Sequence, residues 1–313
     1  MKMNINQTIP ANLFRRFWTY QAERFPVFGH GILIAAFSFS AVSFSALLRG
    51  EAGWPGAGSI LVAFASTFLF FLQLRIADEF KDFEEDARYR AYRAVPRGLV
   101  SLRELGLLGG LTVLIQLGLA LWLEPALVWL LLLVWGYMAL MSRDFFAQAW
   151  LKARPAAYLW SHMLIVPLID LYATACDWRV AGDVAPHGGL VWFLIVSFFN
   201  GVVIEIGRKV RAPQDEEPGV ETYSSLWGRR KAMMIWLGAM LLTVVSAWLA
   251  ARQIDFALPV VILLVILLLA ATMIAGRFLQ KPVTDRARLI EPMSGLWTLL
   301  LYLSVGAIPM LTS

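Results

Sequence analysis

The chain has 313 residues, of which 59% are hydrophobic and 16% are charged, with a formal net charge of +5. A soluble protein of this length has more charge and less apolar content, so the composition excludes a soluble protein and predicts an integral membrane protein. The positive charge is attributed to membrane topology, and no nucleic-acid partner is predicted.

The first 26 residues precede the long apolar runs and are predicted to form a cytoplasmic or interfacial segment. Residues 11–26 place Phe14 and Trp18 beside Arg15 and Arg16. Mixed aromatic and basic residues of this kind are typical of a helix that lies at the membrane surface before the first span.

Nine apolar runs follow, and each is interpreted as a membrane-spanning helix. The predicted spans are residues 27–48, 57–77, 104–123, 126–141, 156–176, 189–206, 231–250, 257–275 and 293–311. We therefore predict an all-α polytopic membrane protein, with nine transmembrane helices in a bundle and a polar cap that faces the cytoplasm. Residues 1–313 are expected to form a single domain.

The basic residues are distributed unequally between the two sets of connections. Of the 27 lysines and arginines, 23 fall on the side of the N-terminus, 3 fall on the opposite side, and Arg75 lies within the second span. Positive residues stay in the cytoplasm, so the N-terminus and the loops on its side are predicted to face the cytoplasm. The predicted location is the bacterial inner membrane.

An acidic stretch follows the second span directly. Asp78, Asp82 and Asp86 recur at i, i+4 and i+8, so on a helix they lie along one side. Like charges at this spacing repel each other, so a cation is expected beside them. Carboxylates that bridge to substrate phosphates are typical ligands of Mg²⁺.

The same stretch then becomes basic, with Arg88, Arg90, Arg93 and Arg97. The planar guanidinium suits phosphate oxygens, so carboxylates and arginines at the mouth of a membrane helix indicate a diphosphate site. A solvated loop with self-neutralising charges is the alternative interpretation, and the regular aspartate spacing favours the diphosphate site.

A second polar segment, residues 205–231, separates the sixth and seventh spans. Glu205, Arg208 and Lys209 can share one helix face, and Asp215 follows them. The segment lies on the same predicted side as the first, so both can contribute to one site. A salt-bridged loop is an equally good interpretation of this segment alone. Lys152, in the connection between these segments, can extend the phosphate site or serve as an ordinary cytoplasmic lysine.

These two segments resemble motifs of the UbiA superfamily of intramembrane prenyltransferases. The family's first motif, N/D-x-x-x-D-x-x-x-D, is similar to Asp78, Asp82 and Asp86, and residues 93–98 resemble the arginine- and proline-containing segment that follows it. The family's second motif is similar to Asp215 with the downstream stretch that ends at Gly228. The resemblance covers essentially the whole chain.

The second motif departs from the family pattern. Where the family has D-x-x-x-D, this chain has Arg211 four residues before Asp215. A cation in that position indicates a direct contact with the diphosphate or an anionic acceptor, and it removes one of the carboxylate ligands of a second Mg²⁺.

The resemblance implies Mg²⁺-dependent transfer of an isoprenyl group from a polyprenyl diphosphate to an aromatic or other lipid-precursor acceptor, within membrane lipid. It implies catalytic, metal-binding roles for Asp78, Asp82, Asp86 and Asp215, and substrate contacts from Arg93, Arg97, Lys152, Arg208, Lys209 and Arg211. Three alternatives stay open: a membrane terpene cyclase, a transferase of another phosphorylated group onto a lipid phosphate, and a transporter. The transporter is the less favoured of these classes, because transporter sites are expected near the middle of the membrane. The charged residues of this chain lie instead at the ends of the predicted spans.

Overall fold

The structure is a computed structural model that describes residues 12–51 and 53–312, and these residues form helices and loops with no β-strand. The α-helices are α1 (Leu13–Arg24), α2 (Val27–Leu48), α3 (Ala57–Lys81), α4 (Phe83–Tyr89), α5 (Leu102–Leu123), α6 (Leu127–Ser142), α7 (Gln148–Lys152), α8 (Pro155–Met163), α9 (Ile165–Trp178), α10 (Leu190–Arg208), α11 (Tyr223–Leu226), α12 (Arg229–Arg252), α13 (Ala257–Gln280), α14 (Thr284–Ala287), α15 (Ile290–Tyr302) and α16 (Ile308–Thr312). The predicted all-helical fold is confirmed.

Eight helical segments of the described chain are long and apolar enough to cross a membrane. They are Val27–Leu48, Ala57–Lys81, Leu102–Leu123, Pro155–Trp178, Leu190–Arg208, Arg229–Arg252, Ala257–Gln280 and Thr284–Thr312. The fourth predicted span, residues 126–141, is the one not among these eight: it corresponds to α6, which has 16 residues and so rises only about 24 Å, less than the thickness of a bilayer core. The protein is an integral membrane protein, and the predicted count of nine is approximate.

The spanning helices form an inner and an outer set. More than half of the apolar stretches of α2 and α10 is buried in the bundle, whereas only 22% of those of α5 and α13 is buried. A helix that is apolar on all sides can lie inside the bundle or on its outside, because buried side chains and lipid chains are both apolar surroundings.

The last span contains a π-helical turn, Leu303–Ala307, between α15 and α16. Gly306 lies in this turn, and a Cβ atom there would overlap the backbone of Ser40 in α2. The missing side chain therefore lets the last span pack closely against the first, which closes the bundle.

The connections at one end of the bundle contact one another and form the polar cap. The polar cap consists of α1 and residues 82–101, 143–154, 209–228 and 281–289. Three contacts join its parts: Lys81 pairs with Asp144, the Tyr92 hydroxyl donates to Glu217 at 3.2 Å, and the Thr284 hydroxyl donates to Asp215 at 3.0 Å. The polar segments that the sequence analysis assigned to one side therefore meet at one end.

The opposite end is held by a different ion pair. Arg49, which follows α2, pairs with Asp177 of α9 at 2.9 Å. This end contains the short turn after α5 and the connection between α9 and α10. The alternation of long charged and short connections agrees with the predicted topology, while the orientation in the cell stays a prediction.

Helix α1 is fixed to the polar cap by its charged side. Arg16 pairs with Glu104 of α5 at 2.8 Å, and Glu23 pairs with Arg97 at 2.8 Å. Its other side exposes Phe14 and Trp18, which are 70% and 53% exposed. The helix predicted in the N-terminal segment is thus present over Leu13–Arg24, and residues 1–11 of that segment lie outside the described residues.

Candidate active site

The first aspartate motif lies at the junction of α3 and α4. Asp82 ends α3 and also begins α4, and its backbone amide donates to the Asp78 carbonyl at 2.9 Å. The amide of Asp86 donates to the carbonyl of Asp82 at 2.8 Å. The helical spacing predicted for the three aspartates is thus preserved across the junction.

The two outer aspartates are paired with arginines. Asp78 pairs with Arg75 at 2.9 Å, and its side chain is 41% exposed. Asp86 is buried and pairs with Arg90 at 2.6 Å and with Arg93 at 2.8 Å. Two guanidinium groups therefore already compensate the charge of Asp86, which the family resemblance places among the metal ligands.

Asp82 is the least compensated member of the motif. No ion pair or side-chain hydrogen bond of Asp82 occurs among the described residues. Burial raises the pKa of the Asp82 carboxyl, and repulsion from Asp78 and then Asp86 raises it further. A cation placed between Asp78 and Asp82 would relieve that repulsion, because both carboxylates lie one turn apart on the same side.

The buried side chain of Glu79, which follows Asp78 in the sequence, contacts the arginines next to the aspartate motif. Glu79 accepts a hydrogen bond from Arg24 of α1 at 2.6 Å, and it lies 3.7 Å from Arg75. Arg75 in turn holds Asp78. The N-terminal helix is thereby connected to the candidate site through Glu79 and Arg75.

Lys81 forms a cluster that sequence analysis did not identify. Its ammonium pairs with the buried Asp144, donates to the Tyr158 hydroxyl at 2.8 Å and lies 3.3 Å from Nε2 of His162. The Nδ1 atom of His162 lies 2.9 Å from the Tyr158 carbonyl, so Nε2 is free to accept from Lys81 if Nδ1 carries the proton. The cluster joins the connection after α6 to both α3 and α8.

The backbone that presents Asp144 is unusual. Asp144, Phe145 and Phe146 have φ values of 47°, 54° and 58°, which lie in the left-handed region that non-glycine residues rarely occupy. Such conformations persist where tertiary contacts over-determine them. Here the Phe145 ring packs against the rings of Tyr137 and His162, so the strained turn is held over the Lys81 cluster.

The end of α10 brings the second polar segment toward the first. Glu205 is buried and pairs with Arg208 at 2.6 Å and with Lys209 at 2.7 Å. Arg208 lies within electrostatic range of Asp78, and the Tyr158 hydroxyl lies within range of Asp78, Asp82 and Glu205. The structure therefore gathers these acidic and basic groups around one region of the polar cap.

Tyr223 completes this region from the loop after α10. Its backbone amide donates to the Lys209 carbonyl at 3.0 Å, and Lys209 lies 5.9 Å from the centre of its ring. Burial, followed by the nearby Glu205 carboxylate, raises the pKa of the Tyr223 phenol. The phenol therefore stays protonated at neutral pH, and the Glu205 carboxylate is its hydrogen-bond acceptor.

The structure gives the remaining residues named by the resemblance different surroundings. Asp215 accepts from Thr284, and both line a cavity with Arg211 between the loop after α10 and α14–α15. Arg97 pairs with Glu23 of α1. Lys152 is exposed at the end of α7 and has no ion pair within the described chain. Within the described residues, no contact connects these side chains with Asp78 or Asp82.

The described residues contain no group of three His, Cys, Asp or Glu side chains arranged around one metal position. The acidic residues of the polar cap are instead distributed among arginine and lysine partners. Asp78 and Asp82 fit a single divalent cation, with the remaining ligands supplied by phosphate oxygens and water. Metal binding by Asp86 and Asp215, which the resemblance implies, stays a prediction.

Comparison with known proteins identifies the family. The bundle of apolar helices and its charged cap define an intramembrane protein whose polar site lies at the helix mouths. A family profile described as the UbiA prenyltransferase family matches residues 44–299, which is well over half of the chain. The chain therefore belongs to the UbiA prenyltransferase family and is an intramembrane prenyltransferase, as the motif resemblance predicts.

Solved structures share the fold. A UbiA homologue from Aeropyrum pernix K1 has a TM-score of 0.67 at 12% identity, with 88% of this chain and 96% of that chain covered. A digeranylgeranylglyceryl phosphate synthase has a TM-score of 0.60 at 16% identity, with 94% and 99% covered. A UbiA homologue from Archaeoglobus fulgidus, bound to GPP and Mg²⁺, has a TM-score of 0.55 at 12% identity, with 91% and 99% covered. No curated protein sequence matches the chain significantly.

Proposed function

We propose that this chain transfers an isoprenyl group from a polyprenyl diphosphate to an aromatic or other lipid-precursor acceptor and releases diphosphate, with Mg²⁺ as its cofactor. Family membership supports the reaction class. The homologue from Archaeoglobus fulgidus was solved with DMAPP and Mg²⁺ and also with GPP and Mg²⁺, which supports both the donor class and the metal.

The proposal depends mainly on one observation, the uncompensated negative charge of Asp82. Asp82 is partly buried between two other carboxylates, and no ion pair of its own compensates it among the described residues. Asp78 and Asp82 would hold Mg²⁺ together with phosphate oxygens of the donor. The metal, when bound, stabilises the negative charge that develops on the leaving diphosphate.

The protein's own cations contribute the remaining charge compensation. Arg208 and Lys209 are held by the buried Glu205, and their side chains stay 44% and 41% exposed. A guanidinium fixed in this way can bind phosphate oxygens without losing much further conformational freedom. Arg208 and Lys209 bind the donor diphosphate from the α10 side, opposite Asp78.

Tyr158 and Tyr223 act as polar contacts at the same site. The Tyr158 oxygen accepts from Lys81 at 2.8 Å, so its own proton stays available for another acceptor. The Tyr158 phenol can donate to the diphosphate as the allylic C–O bond breaks, and the Tyr223 phenol can do so in place of its hydrogen bond to Glu205. The electron pair of that bond stays with the diphosphate, the acceptor bonds to the allylic carbon, and the acceptor loses one proton.

We further propose that the polar cap faces the cytoplasm and that the protein resides in the bacterial inner membrane. The support is the distribution of basic residues, 23 on the side of the cap and 3 on the opposite side. The isoprenoid chain would then extend from the cap into the apolar bundle.

A diphosphate-release assay tests the reaction. Purified protein is incubated with geranylgeranyl or farnesyl diphosphate and Mg²⁺, with a panel of aromatic and lipid-precursor acceptors, and released diphosphate and prenylated product are measured. We expect acceptor-dependent release that EDTA abolishes. Release without any prenylated acceptor would indicate a terpene cyclase. Absence of release, with donor flux across vesicles, would indicate a transporter and refute the proposal.

A further inference from the structure

Asp170 is a carboxylate inside the helix bundle, away from the polar cap. It lies in α9, within the span Pro155–Trp178, and its side chain is fully buried. It follows Tyr158 of the candidate active site by 12 residues, which is about 18 Å along a helix. Ionisable side chains inside a membrane span are costly and typically mark a functional site. The proposed prenyl transfer gives Asp170 no role.

Two hydroxyl groups bond to this carboxylate. The Tyr302 hydroxyl of α15 donates to Oδ2 of Asp170 at 3.0 Å, and Ser197 of α10 also forms a hydrogen bond with the carboxylate. Oδ1 of Asp170 is buried and has no hydrogen-bond partner among the described residues. One oxygen of a fully buried acid is therefore left for a ligand.

The donors that reach Asp170 continue as a chain along α10 and α15. The Thr298 hydroxyl donates to Oδ1 of Asn200 at 2.9 Å, so the amide nitrogen of Asn200 is the atom that bonds to the Tyr302 hydroxyl. The Tyr302 hydroxyl also lies 3.2 Å from Ser197. These side chains are at most 5% exposed. Neutral dipoles of two helices thus converge on one carboxylate.

The charge of Asp170 has no countercharge from a side chain. No lysine, arginine or histidine of the described chain forms an ion pair with it. An ionised carboxylate in an apolar interior is costly without a countercharge, so Asp170 holds either a proton or a cation. A proton on Oδ1 would have no acceptor within reach, and Oδ2 already accepts from Tyr302. The observed bonds therefore match an ionised carboxylate beside a bound cation.

A single carboxylate among neutral oxygens determines the charge of that cation. One negative charge balances one positive charge, whereas a divalent ion would leave an excess charge buried in the bundle. The hydroxyl oxygens of Ser197 and Tyr302 are hard ligands, which suit a hard metal ion. The complete burial of these groups favours a small one.

We propose that the bundle binds one Na⁺ at Asp170, between α9, α10 and α15. Oδ1 of Asp170 is the charged ligand, and the hydroxyls of Ser197 and Tyr302 supply neutral oxygens. Tyr302 directly precedes the π-helical turn Leu303–Ala307, and such turns are frequent at functional sites. The ion stabilises the packing of the last span on α9 and α10. This assignment is independent of the proposed prenyl transfer, because it uses none of the residues of the polar cap.

Sodium binding to the purified full-length chain in detergent tests this proposal. Binding of radiolabelled Na⁺ is measured at constant ionic strength, with choline as the replacement cation, and should saturate at one ion per chain. Na⁺ should also raise the melting temperature by about 3 °C or more. Asp170→Asn should lose both effects. Asp183→Asn, which changes an exposed acid after α9, should behave like the wild type.

A second variant separates ion recognition from folding. Tyr302→Phe keeps the aromatic ring and removes one oxygen, so Na⁺ affinity should fall about tenfold. Tyr172→Phe is the matched control, because Tyr172 is a buried tyrosine of α9 whose hydroxyl lies 3.4 Å from Ser66. Absence of bound Na⁺ in the wild type would overturn the proposal, as would a Tyr302→Phe variant that binds like the wild type.

Two further outcomes distinguish Na⁺ from other occupants of the site. K⁺ should compete at least tenfold more weakly, because closely packed side chains favour the smaller ion. Equal competition by K⁺ would overturn the assignment to Na⁺. A melting temperature that is independent of Na⁺ and rises on acidification in the wild type, but not in Asp170→Asn, would show that Asp170 carries a proton and would overturn the cation site.

Discussion

Arg24 and Glu79 form a buried ion pair that joins the N-terminal helix to the helix that carries the first aspartate motif. The Arg24 Nε atom lies 2.6 Å from Glu79 Oε1, and the two side chains are 11% and 1% exposed. Glu79 also lies 3.7 Å from Arg75, the partner of Asp78. The position of α1 and the charge state of the candidate site are therefore connected through one buried carboxylate.

Replacement of Glu79 by Gln should destabilise the protein by about 3 kcal/mol, because it leaves Arg24 buried without its partner. The thermal midpoint of unfolding in detergent measures the effect. Glu84→Gln serves as the control, because Glu84 is exposed in the same stretch. Equal midpoints for the two variants would show that the buried pair contributes nothing measurable.

Replacement of Asp82 by Asn should stabilise the metal-free protein at neutral pH. Asp82 has a pKa above that of an ordinary aspartate, so the folded state binds its proton more tightly than the unfolded state does. Stability is therefore lost as pH rises from the unfolded pKa through the raised folded pKa, and the variant lacks that loss.

The same variant separates stability from function. Mg²⁺ should raise the thermal midpoint of the wild type and not that of Asp82→Asn, while diphosphate release by the variant should fall at least a hundredfold, about 2.7 kcal/mol, since a ligand of the stabilising metal is gone. An Asp82→Asn variant with full activity would contradict the metal site.

The extent to which the sequence predicts this structure depends on the range of the interactions. The span predicted at residues 27–48 coincides with α2, because a sufficiently long run of apolar residues is enough by itself to indicate a membrane-spanning helix. The aspartate spacing likewise predicts one helix side. The pairing of Lys81 with Asp144 is different, because it joins residues 63 positions apart across a left-handed turn. The local sequence pattern around Lys81 does not indicate that its partner is Asp144.

The same distinction explains the arginines. The basic run after Asp86 predicts phosphate contacts, yet the structure pairs Arg93 with Asp86 and Arg97 with Glu23. Which guanidinium meets a protein acid depends on how the chain folds back after α4 and on where α1 lies. The order of charged residues in the sequence does not show which arginine pairs with which acid.

Replacement of Tyr158 by Phe should reduce diphosphate release about tenfold with little loss of stability. The phenol accepts a hydrogen bond from Lys81 at 2.8 Å and lies in electrostatic range of Asp78 and Asp82. Loss of the proposed hydrogen bond from this phenol to the leaving diphosphate costs about 1 kcal/mol of transition-state stabilisation, close to a tenfold change in rate. Steady-state kinetics in the donor measures the effect, and Tyr89→Phe, an exposed tyrosine of α4, is the control. Equal rates for both variants would exclude Tyr158 from the site.

Cysteine labelling tests the orientation of the polar cap. Glu84→Cys lies on the cap, and Val184→Cys lies at the opposite end, where Val184 is 88% exposed. The native Cys176 is fully buried, so background labelling should be low. In intact bacterial cells an impermeant maleimide should label the Val184→Cys protein alone, because the cap is expected in the cytoplasm. The reverse pattern would invert the proposed topology.

Replacement of Asp86 by Asn should distinguish a structural acid from a metal ligand. The resemblance implies metal binding by Asp86, whereas the structure buries this carboxylate between Arg90 and Arg93 at 2.6 and 2.8 Å. Loss of the charge leaves two guanidinium groups without their partner, which should destabilise the protein by about 3 kcal/mol. The Mg²⁺ concentration for half-maximal activity should nevertheless stay that of the wild type.

The two interpretations of Asp86 diverge in one titration. Diphosphate release is measured against Mg²⁺ concentration at fixed donor, below the melting temperature of each variant, for wild type, Asp86→Asn and Asp78→Asn. Asp78 is the matched comparison because it belongs to the same motif and its side chain is 41% exposed. Loss of a metal ligand moves the midpoint to higher Mg²⁺, so Asp78→Asn should shift and Asp86→Asn should not. A matching shift for Asp86→Asn would mean that the carboxylate leaves its arginines to reach the metal when donor binds.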